Sequence, residues 1–390
     1  MDSAAGPGGR PGTSRGERLR RAPATGPRLL FFSGGSALRS ASRTLVRYTH
    51  RSIHLITPFD SGGSSAELRA AFHMPAVGDL RNRLLSLAGR TDPEQRAVHD
   101  LFSFRLSSRV PSSTLRSRLD RMVRGDDPAV AKIAGRLRAT ICETLGHFRQ
   151  AMPTDFDLRG ASIGNLFLAG GYLANGRRLG PALTRFAELV QARGQVQPVV
   201  DADLHLAARL DDGRTVVGQH RLTGGVTSPV ASLHLSRSAV ALQPSPIRIT
   251  PAVEDLIRSA DLICYPIGSF YTSLVATLLP DGVAQAIADA DAPRVYVPNP
   301  GHDREELGLS LPGKVETLLG YLKAGAPPST PTSTLLSHVL LDAAGTGAKS
   351  RDLDGIRRLG VRVLDTRLLA EGKTPRLDDT LLVKALLMLA

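Results

Sequence analysis

The chain has no tryptophan, two cysteines and only 4% aromatic residues in a length of 390. Cys142 and Cys264 stand far apart, and neither belongs to a CxxC pair or a Cys/His cluster at zinc spacing, so neither a disulfide framework nor a structural zinc site is expected. So few rings leave little from which to build stacking platforms for single-stranded nucleic acid. No stretch reaches the roughly 18 uninterrupted apolar residues that cross a bilayer, and the N-terminus, MDSAAGPGGRPGTSRGERLRRAPATGPR, lacks the apolar core of a secretory signal. The expectation is a soluble protein of a reducing compartment, cytoplasmic in location. There is no repeat period, no GxSxG elbow, no GxGxxG and no Walker loop with its lysine.

What is present is globular in kind: 42% apolar and 22% charged residues. The length suits two to three domains or one large α/β unit. With 49 Lys and Arg against 36 Asp and Glu, the net charge of +13 points towards polyanions, phosphates or acidic membranes. Residues 1–28 carry six arginines against Asp2 and Glu17, in a background of Gly, Pro and Ser. Such a segment buries too little apolar surface to offset its ordering entropy, which predicts a mobile basic tail before a folded part at 29–390.

Within the folded part, an apolar run at 29–32 leads into SGGS at 33–36 and then helical spacing over 37–48. A second strand at 52–57 runs into PFDSGGSS and a helix at 66–72. The order βαβα predicts a mostly parallel sheet with helices on both faces. From about 80 to 189 the pattern is helical, an insertion between strands. Strand signals return at 196–200, and 204–210 with 215–219 form a hairpin around Asp211-Asp212-Gly213-Arg214. Further β runs fall at 247–250, 262–265, 295–297, 337–341 and 361–364, and 380–389 closes as a helix.

In open parallel sheets, ligands bind beyond the carboxyl ends of the strands, where glycine turns let backbone N–H groups face an anion. Gly34, Gly35 and Ser36 form one such turn, which reads equally as a tight connection. Asp60, Gly62, Gly63, Ser64 and Ser65 form a second, with a carboxylate at the strand end. Asp60 suits Mg²⁺ binding beside a diphosphate, or general base work, and Asp60 or Ser61 suits a helix cap as well. Asp79, Arg81 and Asn82 follow Gly78 at a helix start, where Arg81 suits a phosphate and Asp79 also an N-cap. Gly268, Ser269, Tyr271, Thr272 and Ser273 form a third turn with hydroxyl donors. Phe59, Phe270 and Tyr271 fall near these turns, where they could stack a flat ring.

These runs, SGGSALRS, FDSGGSSAELR, PAVGDLRNRLLSLA, SIGNLFLAGG, QPVVDADLHL, IRSADLICYPIGSFYTSLVATLLP and VYVPNPG, together resemble the CofD/YvcK superfamily from about Leu29 to Leu387. That superfamily holds the 2-phospho-L-lactate transferases of deazaflavin-coenzyme synthesis and the YvcK-type gluconeogenesis factors. The resemblance implies a Rossmann-like fold that binds a nucleoside diphosphate conjugate. One branch transfers a phosphate-linked group from a guanosine diphospho-donor to a deazaflavin alcohol with Mg²⁺, and the other binds a UDP-sugar and affects carbon metabolism and cell shape. It adds Gly164, Asn165, Asp201 and Asn299 to the matched positions and makes Asp60, Asp79 and Arg81 the catalytic candidates.

Two departures stand out. The family's second aspartate before the glycine pair is Ser61 here, which weakens a divalent-ion site. After Val297 the family's longer polar run is replaced by Pro298 to Glu306, in which only Asn299 matches. The rival expectation is therefore a non-catalytic nucleotide-sugar sensor that works through a protein partner; self-association is left open by both. A nucleic-acid reading rests on charge alone. Of the histidines, His302 beside Asp303 occupies the best place for chemistry, a loop after a strand.

Overall fold

The computed structural model describes residues 15–89, 92–372 and 375–390. Ten strands form two sheets: β1 Leu29–Ser33, β2 Ile53–Ile56, β3 Gln195–Pro198, β4 His205–Leu210, β5 Thr215–Val217, β6 Val230–Ser236, β7 Leu262–Tyr265, β8 Arg294–Tyr296, β9 His338–Leu341 and β10 Arg362–Asp365. Seven of them build one sheet in the order β10-β9-β8-β7-β1-β2-β3, parallel at every pairing. Strands β1, β2, β7, β8 and β9 are buried throughout, which is why they read in sequence as short apolar runs rather than alternating ones. Leu30, Phe32, Ile263 and Tyr265 face one core, and Leu29, Phe31, Leu262 and Cys264 the other, as a side-chain period of two requires.

Between β2 and β3 run the helices Gly78–Leu87, Pro93–Ser103, Ser112–Arg124, Gly135–Ala151, Ile163–Ala174 and Leu179–Val190. They enclose a third core, with Phe102, Phe148, Phe167 and Phe186 fully buried. The remaining strands form an antiparallel sheet, β5-β4-β6, in which β4 and β5 are the hairpin read from sequence. Strand β6 was not anticipated. The run at 247–250 is not a strand: it makes one isolated bridge, Arg248 to Asp281, before Thr250 caps the helix Pro251–Arg258.

The basic segment at 1–28 also differs from expectation where it is described; residues 1–14 lie outside the described residues. Arg15–Arg21 is a helix, with Leu19 packed on the core that the closing helix Asp379–Leu389 covers. Arg15 Nη2 donates to the Ala390 carbonyl at 2.6 Å, and the Arg20 guanidinium lies 6.0 Å from the Tyr48 ring centre. Composition missed this because the apolar surface it uses, Tyr48 and the last helix, is supplied by distant sequence. Among the described residues no helix is long and apolar enough to cross a membrane.

The most demanding group in the core is Arg83, with none of its side chain exposed. It donates to Ser42 Oγ at 2.5 Å, to the Gly34 carbonyl at 2.9 Å and to Ser33 Oγ at 3.3 Å. One cation thus joins the end of β1, the helix Arg39–Leu45 and the helix Gly78–Leu87. Replacing it by methionine keeps the volume but strands a buried carbonyl and two hydroxyls. Arg83→Met is expected to lower unfolding free energy by about 3 kcal/mol in urea titration; an unchanged midpoint would show that these bonds contribute nothing net.

Candidate functional site

The order of the large sheet reverses between β1 and β7, so the crevice beyond their carboxyl ends is where an open parallel sheet receives a ligand. A cavity of about 380 Å³ lies there. Gly34, Gly35 and Ser36 line it from the β1 loop, Gly268, Ser269 and Ser273 from the β7 loop, and Asn299, His302 and Asp303 from the β8 loop. The glycine pair is required by close approach. A Cβ on Gly35 would stand 2.2 Å from Asp79 Oδ1, and one on Gly34 would stand 2.5 Å from Ser273 Oγ.

Asp79 therefore comes up beneath the first loop, where its carboxylate takes the Gly35 N–H. Burial, together with the neighbouring Asp60, pushes its carboxyl up from 3.8 to about 6, against the pull of that hydrogen bond and of Arg83 and Arg81. Asp60 accepts the Gly62 N–H at 3.0 Å through Oδ1. Its Oδ2 stands over Gly78, beside Ser65 Oγ and Asn165 Nδ2. Asn165 in turn donates to Ser64 Oγ at 3.3 Å. The second glycine turn, the start of the helix Gly78–Leu87 and the start of the helix Ile163–Ala174 thus meet around two adjacent carboxylates. Gly63 supplies the φ of +48° with which the helix Gly63–Phe72 begins.

Arg69, which no motif singled out, fixes this second turn. It is buried and donates to the carbonyls of Phe59 at 3.3 Å and Asp60 at 3.1 Å, and to Asp203 Oδ1 at 2.7 Å. Ser61 shares a 2.8 Å hydrogen bond with His220 Nδ1 and accepts the His220 N–H at 3.2 Å. It ties the turn to the small sheet's helix Gln219–Thr223. Asp201 lies apart, accepting the Leu179 N–H at 2.9 Å.

The third turn corrects an expectation. Tyr271 and Thr272 are buried, and their N–H groups are already taken by Glu305 Oε2, at 2.9 and 2.8 Å. Thr272 Oγ1 donates to Glu305 Oε1 at 2.6 Å, and the Phe270 N–H goes to Asp303 Oδ2 at 2.8 Å. The chain's own carboxylates occupy the seats predicted for a phosphate, so the Tyr271 and Thr272 amides are committed within the fold; Ser269 and Ser273 remain on the cavity wall. Asn299 is likewise committed, accepting the Gly268 N–H at 3.0 Å and donating to the Gly268 carbonyl at 2.7 Å. Phe59, Phe270 and Tyr271 are core residues, which removes them as stacking platforms. Asp303 and Glu305 were legible only as two acids shortly after a strand.

Arg81 and Asn82 do not join Asp79. At about 100° per residue, Arg81 is turned roughly 200° from Asp79 around the helix, whereas Arg83 is only about 40° from it. Arg81 and Asn82 line a separate basic pocket with Arg39, Arg43 and Arg105, which shares no lining residue with the crevice.

Fold and site together define an open, Rossmann-like α/β protein with a crevice at the switch point of the sheet. The chain belongs to the family described as 2-phospho-L-lactate transferase CofD, whose profile matches residues 29–369. It is 30% identical over 273 residues to the gluconeogenesis factor of Bacillus subtilis, covering 70% of this chain and 68% of that protein. It is 27% identical over 366 residues to a putative gluconeogenesis factor of Nostoc, covering 90% of this chain but 65% of the relative's length. A crystal structure of a UPF0052 family protein from Bacillus halodurans shares the fold, with a TM-score of 0.67 at 21% identity over 93% of this chain and 99% of that one.

Because folded Asp79 holds its proton to about pH 6 whereas an ordinary aspartate releases it near 3.8, the folded state binds more protons across that window. Stability therefore falls as pH rises from about 4 to 6, by at most roughly 3 kcal/mol from this group. Asp79→Asn is expected to flatten that part of the stability curve in urea titrations. An unchanged slope would place the carboxylate in an ordinary solvated setting.

Proposed function

We propose that the chain binds a nucleoside diphosphate conjugate, with its diphosphate in the crevice between the β1 and β7 loops. The observation that carries this reading is Asp79 pressed beneath Gly34 and Gly35 at the switch point, with Asp60 near enough to raise its carboxyl. Two adjacent carboxylates, with Asp79 disfavoured as an anion, are a donor set that a divalent cation relieves. Mg²⁺ typically takes one or two carboxylates and completes its shell with water and substrate phosphate. Asp60 and Asp79 would hold it, and it would neutralise diphosphate charge. Ser36, Ser269 and Ser273 supply hydroxyl donors along the wall.

In the transferase form of this reading, an acceptor hydroxyl attacks the β-phosphorus. The new P–O bond forms as the bridge to the α-phosphate breaks, nucleoside monophosphate leaves, and Asp60 takes the hydroxyl proton. A second reading, a non-catalytic nucleotide-sugar sensor acting through a protein partner, is favoured by Ser61. Its hydroxyl is bound to His220 where a second metal-binding carboxylate is expected. The names of the Bacillus subtilis and Nostoc relatives fit that reading equally. The two free cysteines suit a cytoplasmic location under either.

Titration calorimetry with GDP, UDP and a UDP-sugar, with and without Mg²⁺, tests the shared premise. At least one is expected to bind with Mg²⁺ dependence, and Asp79→Asn to weaken it about tenfold or more; no binding by any of them overturns the proposal. Release of nucleoside monophosphate from a diphospho-donor, lost in Asp60→Ala, decides for the transferase, and binding without turnover decides for the sensor.

A further inference from the structure

We propose that the pocket between the helices Arg39–Leu45, Gly78–Leu87 and Pro93–Ser103 is an anion site for a phosphate group carrying two or more negative charges, separate from the nucleotide crevice. It measures about 280 Å³, below the usual range for whole drug-sized ligands and adequate for a phosphate with a small substituent. Arg39 and Arg43 project from one face of their helix, one turn apart. Arg81 and Asn82 form the opposite wall, and Arg105 approaches from the end of the third helix. Among the described residues no carboxylate lines the pocket. Two stand close: Asp79, whose charge acts on Arg81, and Asp100, 3.5 Å from Nδ1 of the lining His99. Among the described residues, Arg39, Arg43, Arg81 and Arg105 make no ion pair, although Arg105 Nη1 donates to the Gly160 carbonyl at 3.0 Å.

Arg81 is what distinguishes this pocket from a solvated basic surface. Its side chain is 95% buried, and among the described residues only Nη2 has a partner, Asn82 Oδ1 at 2.6 Å. Nε and Nη1 are buried with none. The arm cannot swing out easily, because it lies against Gly164, where a Cβ would stand 2.8 Å from Arg81 Cδ. Burial and the nearby Arg105 and Arg39 make its positive charge unfavourable, so that its guanidinium is pushed down to about 10 and is still a cation at neutral pH. A fixed, buried, half-satisfied guanidinium facing other arginines is costly in an empty protein. A planar fork of N–H donors matches the oxygens of a phosphate, whose charges the surrounding arginines balance.

The test is calorimetric titration of the full chain with inorganic phosphate, pyrophosphate and glycerol 3-phosphate at low salt. At least one is expected to bind, with Arg43→Gln and Arg105→Gln each weakening it about tenfold, while GDP or UDP binding in the same variants stays unchanged. Tighter binding of the ester than of the free ions identifies an organic phosphate as the ligand, and the reverse identifies an inorganic one. Arg81→Met is expected to abolish phosphate binding without lowering the melting temperature of the ligand-free protein; a lowered temperature with phosphate binding retained would make Arg81 a structural residue and overturn the proposal. It is overturned too if none of the three binds, if neither glutamine variant changes the affinity, if saturating GDP displaces the phosphate, or if duplex DNA alone engages the arginines.

Discussion

The shape of the crevice depends on a buried charge pairing within one helix. Asp79 and Arg83 stand about 40° apart on the helix Gly78–Leu87, both directed at the end of β1. Arg83 holds the Gly34 carbonyl at 2.9 Å while Asp79 holds the next residue's N–H, so one peptide turn is gripped from both polar sides. Neither charge is comfortable alone: burial pushes Arg83 down to about 10 and Asp79 up to about 6. Each favours the ionised form of the other. The loop that lines the crevice is thus shaped by the interior, and its glycines leave the room that Asp79 requires.

The same economy of carboxylates recurs around the cavity. Asp303 and Glu305 satisfy the N–H groups of Phe270, Tyr271 and Thr272, a seat built from the same kind of backbone that binds phosphate in other folds. Filling it internally ties the β7 turn to the 298–306 loop. Burial pushes Glu305 above the ordinary carboxylate range, opposed by the hydrogen bonds from Thr272. The polar surface left for a ligand is therefore narrower than three equivalent glycine turns: one loop over an acidic floor, and the hydroxyl edge of another.

Much of the fold was legible because buried parallel strands write themselves as short apolar runs ending in glycine. The runs at 29–32, 262–265 and 295–297 became β1, β7 and β8, and the turns at their carboxyl ends face one cavity. Legibility failed where long-range contact decides. Strand β6 pairs with β4, and extended residues at 247–250 found no partner strand. The arginines at 15–21 fold onto the last helix. A glycine turn in sequence does not disclose that an acid more than thirty residues later fills it.

The linear motif Gly78-Asp79-Leu80-Arg81-Asn82 reads as one cluster of charge, yet helical geometry divides it among three environments. Asp79 meets the crevice, Leu80 the inserted core, and Arg81 with Asn82 the basic pocket. This helix is then a partition, with Asp79 on the side of the crevice and a basic face on the side of the separate pocket. Charges two residues apart on a helix lie on nearly opposite sides, so the acid does not neutralise the arginine at either surface. Asp79 still lowers the cost of burying Arg81, as it does for Arg83. Removing that one carboxylate therefore disturbs the crevice, the core cation and the basic pocket together, whereas Arg43 and Arg105 touch only the last of these.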